Sequence, residues 1–277
     1  LTVSNGKGSD TETKTGYITV EAPPPEPDYY ISPSGSATIG GFPSTPADIL
    51  RYTKSTNTWT MVYDGSVRGT AKNVSAFDIL DDGSLLLVFG ANQVIAGLGT
   101  ATAYDVVRFT PNTPGVYPLG TGTYSWFFQG RTPGLTTTTE KIDALDFDAA
   151  GNRLLLSTAG AANVILPGGT ALKPADEDVF VFNRSTNQWE SPLVIDGSNM
   201  TGMAVEDITS IWDDPASGDY YITITGSFNL GGVKGNSKSI VKLTPNGGAT
   251  VFTPSLVPWL APGATFPSNL DGLALRN

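Results

Sequence analysis

The 277 residues include neither histidine nor cysteine. That removes Ser-His-Asp and Cys-His nucleophiles, histidine acid–base catalysis, thiol chemistry and most transition-metal sites. What remains is oxygen chemistry: carboxylates, amides, hydroxyls and backbone carbonyls, a donor set suited to hard cations and sugars. Four strand-like runs carry such groups at matching places: "VSAFD" (74–78), "IDALD" (142–146), "ITSIW" (208–212) and "LDGLA" (270–274). Aligned on their apolar pattern, one position reads Ser75, Asp143, Thr209 and Asp271. The preceding polar position reads Asn73, Lys141, Asp207 and Asn269. A two-residue step along a strand puts both sets on one face. If the four strands surround an axis, two carboxylates and two hydroxyls converge there, a ring able to hold Ca²⁺ or another hard cation with carbonyls and waters completing the shell. The structural alternative is that these groups cap strands or hydrogen-bond between neighbouring units.

Other residues are candidates for binding. "YDGS" (63–66) and "IDGS" (195–198) place Asp64 and Asp196 in tight turns, where the Asp side chain bonds the backbone and Gly supplies positive φ. Trp59, Trp126 and Trp189 recur at equivalent positions, which points to repeated packing. Trp259, in the Pro-rich "TPSLVPWLAPGATFP" (253–267), falls outside that series and is the better candidate for an exposed stacking surface. Glycoside hydrolysis would require two carboxylates roughly 5–10 Å apart across a cleft. Asp143 and Asp271, with Asp207, are the acids available for it.

The elements that must position these residues repeat. Each of four landmarks occurs four times, at intervals of about 55 to 70 residues, as an apolar, β-branched or aromatic run of strand length. The runs beginning at 74, 142, 208 and 270 form one series. "SLLLVF" (84–89), "RLLLST" (153–158), "YYITIT" (220–225) and "YYISPS" (29–34) form the second. "ADILRY", "YDVVRF", "EDVFVF" and "KSIVKL" form the third, and the tryptophan strands with "GATVFTP" (248–254) the fourth. Four strands in each of four units predict an all-β, four-bladed β-propeller, with a β-sandwich as the alternative. One unit is split: its first strand is "LDGLALRN" (270–277) and its second "DYYISPS" (28–34), so the two ends of the repeat supply adjacent strands and close the ring. Gly-rich loops at 35–47, 90–103, 160–177 and 226–238 join second to third strands. In each, an apolar residue ahead of the glycines is expected to plug the gap between blades, and the four loops share one face as a possible binding rim.

The first twenty residues read as two strands around a Gly/Ser/Asp turn. "LTVSNGKGSDT" followed by "GYITV" resembles the last two strands of a PKD domain, the immunoglobulin-like module of bacterial and archaeal extracellular proteins. The match spans about a quarter of such a domain. It implies an extracellular or cell-surface setting, and the sequence is then expected to be a piece of a longer protein. "EAPPPEP" (21–27) reads as a semi-rigid polyproline spacer. The expected organisation is therefore 1–20 PKD-like strands, 21–27 linker and 28–277 propeller.

A net charge of −10 argues against nucleic acid and anionic membrane surfaces, and no apolar run is long enough to span a bilayer. The expected function is a non-catalytic binding or structural module that contacts a glycan, a surface protein or sister subunits, with a cation in the channel. The competing class is a secreted hydrolase acting on polysaccharide.

Overall fold

The computed structural model describes residues 2–11, 27–248, 251–258, 266 and 268–276. Four antiparallel four-stranded sheets make a four-bladed β-propeller. From the axis outward, the first blade runs Leu270–Arg276, Asp28–Pro33, Ile49–Thr53 and Thr58–Tyr63. The second runs Val74–Ile79, Leu85–Phe89, Asp105–Pro111 and Gly122–Gln129. The third runs Ile142–Asp148, Arg153–Thr158, Val179–Asn183 and Gln188–Ile195. The fourth runs Ile208–Asp214, Asp219–Ile224, Ile240–Gly248 and Val251–Val257. The expected split blade is present: Leu273 pairs with Ile31 and Arg276 with Asp28, so the ring closes through an opened hairpin.

The core is divided into four layers, one in each gap between blades. Phe77, Phe89 and Phe109 fill the gap between first and second blades with Ile49 and Tyr63. Phe128, Phe180, Phe182 and Trp189 fill the next. Ile211, Ile222 and Leu243 with Val181 fill the third, and Ile31, Leu50 and Ile240 the fourth. Strands sandwiched this way are apolar on both faces, which is why "LLLVF" is buried along its whole length. The loop residues Ile39, Ile95 and Leu230 are buried in these layers, as their place ahead of the glycines predicts.

Two features were not anticipated. Each Gly-rich loop is itself a small hairpin: Ala37–Ile39 with Phe42–Ser44, Gln93–Ile95 with Gly99–Ala101, Val164–Ile165 with Ala171–Leu172, and Ser227–Leu230 with Val233–Asn236. The tip pairs Gly40–Gly41 and Gly231–Gly232 take the left-handed φ that such turns need. At the amino end, the hairpin is Thr2–Asn5 with Gly8–Thr11, turning at Gly6 and Lys7. Both paired strands fall inside "LTVSNGKGSDT", on either side of the two-residue Gly6-Lys7 loop. "GYITV" and linker residues 21–26 lie outside the described residues.

Each innermost strand is fixed to its neighbours by the same backbone bonds. The amides of Val74, Ile142, Ile208 and Leu270 donate to the carbonyls of Pro46, Ala103, Asp176 and Ser237 in the preceding blade, at 2.8 to 3.0 Å. The carbonyls of Asn73, Lys141, Asp207 and Asn269 accept from Gly90, Ala159, Thr225 and Ser34 of their own blade, at 2.9 to 3.0 Å. The fourfold alignment made on apolar pattern is therefore also a structural equivalence.

Candidate functional site in the channel

A β-bulge occurs at the same place in all four innermost strands. The register slips between Val74 and Ala76, Ile142 and Ala144, Ile208 and Ser210, and Leu270 and Gly272. The extra residue at each slip is Ser75, Asp143, Thr209 or Asp271. A bulge frees one residue from the ladder and re-aims its side chain. These four residues are thereby released from sheet pairing and reach forward to the next blade. Ser75 Oγ donates to the Ile142 carbonyl at 3.2 Å, and the Thr209 hydroxyl lies 3.5 Å from the Leu270 carbonyl. Asp271 Oδ2 accepts from Asn73 Nδ2 at 2.7 Å. Asp143 bonds Asp207. Short hydroxyls thus alternate with longer carboxylates around the ring, the first meeting backbone and the second meeting the side chain of the neighbouring tier.

Electrostatics distinguish the two carboxylate joints. Burial raises Asp271, and the Asn73 amide that donates to it pulls the other way. Asp143 is raised well above the usual range, chiefly by burial and then by the charge of Asp207, with Asp176 adding to it. Burial, with Asp176 nearby, pushes Asp207 up to about 6. The hydrogen bond from the Asp143 carboxyl works against that rise at Asp207. One oxygen on each of these groups, with the amide oxygen of Asn73, is buried without a hydrogen-bond partner. Lys141 completes that tier without a carboxylate partner among the described residues.

The sequence reading missed a second acidic tier three residues further along the same strands. Asp78 and Asp146 are 2% and 5% exposed. Asp78 Oδ2 accepts the Phe147 amide of the next blade at 3.3 Å, and Asp146 accepts the Asp213 amide of the blade after that. Burial lifts Asp78 to about 6 against the opposing pull of Arg276, whose guanidinium stands 3.9 Å away. Asp146 is raised well above the usual range by burial, then by Asp78 and Asp213. A carboxylate in "FDI" or "LDF" looks like the solvent side of a half-buried strand. Here both faces of the strand are covered by blades.

The channel is narrow. Innermost strands that face each other across the axis bring Cα atoms within 8 Å. Among the described residues no group of three or more carboxylates is placed to hold a metal ion. A cation in this channel would have to draw on hydroxyl, amide and carbonyl oxygens beside its carboxylates.

Asp64 and Asp196 stand apart from the channel. Each opens a single turn after the outermost strand: Asp64 caps it, accepting from the Val67 amide and the Ser66 hydroxyl, whereas Asp196 accepts only from side chains, Ser198 Oγ and Asn199 Nδ2. The glycines that follow pack against a repeated turn whose buried Asp48 or Asp178 accepts their amides at 2.9 Å. Trp59 stacks on Tyr52 and Phe266, and Trp189 is buried with Nε1 donating to the Pro133 carbonyl at 2.8 Å. Trp259 lies outside the described residues.

No protein-family model matches this chain, and no curated protein matches it. Solved structures resemble it at low similarity. A protein from Lactobacillus plantarum is 9% identical with a TM-score of 0.36, covering 91% of this chain and 100% of its own. A protein of unknown function from Bacteroides caccae is 10% identical with a TM-score of 0.33, covering 83% and 73%. YCF48 bound to D1 peptide is 9% identical with a TM-score of 0.33, covering 76% of this chain. The chain spans 47% of that last relative. No described helix is long and apolar enough to cross a membrane.

Proposed function

We propose that this propeller is a non-catalytic binding module of an extracellular or cell-surface protein, with a glycan or a protein as its partner. The observation that carries this reading is the state of the channel acids. The carboxylates proposed for hydrolysis lie between strands whose Cα atoms approach within 8 Å across the axis, too close to admit a sugar ring. Asp143, Asp207 and Asp271 are each engaged in a joint between blades. Groups used this way hold a scaffold in shape and leave recognition to the outer surface. The PKD resemblance of the first residues supports the surface setting. Immobilised on glycan and protein arrays, the protein should be retained by a partner and release no product. Turnover on a panel of polysaccharides, lost on Asp271→Asn, would overturn the reading in favour of the hydrolase.

Within this module we assign a structural role to a hard cation, Ca²⁺ by preference, held around Asp143 and Asp271 with the Ser75 and Thr209 hydroxyls. The buried, unpartnered oxygens of Asp143, Asp207 and Asn73 favour it, because buried acceptors without donors are rare unless an ion or water satisfies them. Chelator should lower the melting temperature, and Asp143→Ala should abolish that response. A melting temperature indifferent to chelator rejects the cation and leaves the binding module standing.

A further inference from the structure

Between the outer strands of the second and third blades lies a cleft of about 300 Å³. Phe128 and Phe182 lie buried at its base, and its walls are mainly polar, with Gln129, Asn152 and Asn187 supplying amides. Arg184 lines it too. Its guanidinium carbon stands 3.7 Å from the Phe127 ring centroid, and Phe127 meets Phe147 edge-on at 5.0 Å. Arg184 Nη1 donates to Asn152 Oδ1 at 2.8 Å.

Most arginines of this chain are neutralised by an acid. In an acidic chain, Arg51, Arg108, Arg153 and Arg276 each pair with a carboxylate. Arg68, Arg131 and Arg184 have no acidic partner among the described residues, although carboxylates outnumber cations 26 to 16, and of the three only Arg184 lines this cleft. Burial and the nearby Arg108 charge lower its pKa, as expected of a guanidinium that has lost solvent without gaining a counter-ion. A guanidinium offers five donors in a planar fork that matches a carboxylate, and among the described residues only one hydrogen bond from it is made.

We propose that this cleft binds a uronate, the acidic sugar unit of a glycan, with its carboxylate on Arg184 and its hydroxyls on the amides. The volume is at the lower end of small-molecule sites, enough for about one sugar ring and too small for a helix or an extended strand. The Gln129 and Asn187 amides each present a donor beside an acceptor, the pattern that neighbouring hydroxyls require, while Asn152 is held between Arg184 and Ser185 and fixes the guanidinium. This inference rests on the binding-module reading and names the glycan class it would recognise.

The test is calorimetric titration of the full chain with glucuronate and galacturonate, against glucose, galactose and inorganic phosphate. At least one uronate should bind 10-fold or more tightly than its neutral counterpart, and phosphate should not displace it. Arg184→Gln should weaken the uronate at least 10-fold. Gln129→Glu, at an exposed position where folding is unaffected, should do the same by placing a like charge in the cleft. Equal binding of uronate and neutral sugar overturns the proposal. So does displacement by phosphate, or unchanged uronate binding in Gln129→Glu. If the uronates fail while the arrays retain a protein or a neutral glycan, the cleft assignment falls and the binding module does not.

Discussion

Single carboxylates govern how this protein answers to pH. Asp78 and Asp207 titrate near 6 when folded, against an ordinary value of 3.8, and Asp143 and Asp146 are displaced further in the same direction. Between about 4 and 6 the folded chain holds more protons than the unfolded one, so stability is fullest below that window and falls as pH rises through it. Asp82, Glu140, Asp148 and Asp219 are shifted downward and protect the fold until pH drops below their range. The melting temperature should therefore peak near pH 4 to 5 and decline towards pH 8. Asp78, buried and shifted by about two units, accounts for on the order of 3 kcal/mol of that decline. Asp207→Asn should flatten the profile between about pH 4 and 6. A melting curve that rises steadily from pH 5 to 8 would show that the channel acids are ionised without penalty.

At the scale of elements, the repeated turn and the glycine that docks on it hold the outer strands in place. A Cβ on Gly130 would come within 2.1 Å of the Tyr104 carbonyl, and one on Gly197 within 2.6 Å of the Glu177 carbonyl. Backbone cannot yield as a side chain does, so Gly130→Ala and Gly197→Ala should each cost about 1–3 kcal/mol in denaturant titration. The strands themselves were readable in the sequence because each recurs four times, and recurrence separates a strand from a chance apolar run. The loop hairpins were not, since strands of two to four residues have too few positions to show alternation. Their glycines were visible, but a glycine pair marks a bend without saying whether its flanks pair. The bulges left no mark at all: Ser75, Asp143, Thr209 and Asp271 align as polar positions whether or not the ladder slips beneath them. The Arg184 cleft is hidden for a different reason, because Phe127 and Arg184 come from separate blades and meet only after the sheets pack.

At the scale of the whole molecule, the ring is only as stable as its closure. Leu270–Arg276 supplies the innermost strand of the first blade and packs between two neighbours. Without it, the Asp28–Pro33 edge and the core layers on either side open together. Deleting residues 270–277 should abolish cooperative thermal unfolding, read by far-UV circular dichroism. A variant that melts as the full chain does would mean that three blades and three strands of the fourth suffice.

That closure also has a consequence for how the chain is made. The strand Asp28–Pro33 leaves the ribosome about 240 residues before Leu270–Arg276, which at roughly 5–20 residues per second is an interval of some 12–50 s. Throughout it, a strand with a buried, apolar face offers unpaired backbone to any nascent neighbour. On a crowded polysome the same edge fits the Leu270–Arg276 segment of another chain as well as its own, so dilution, not sequence, selects the monomer over an exchanged pair.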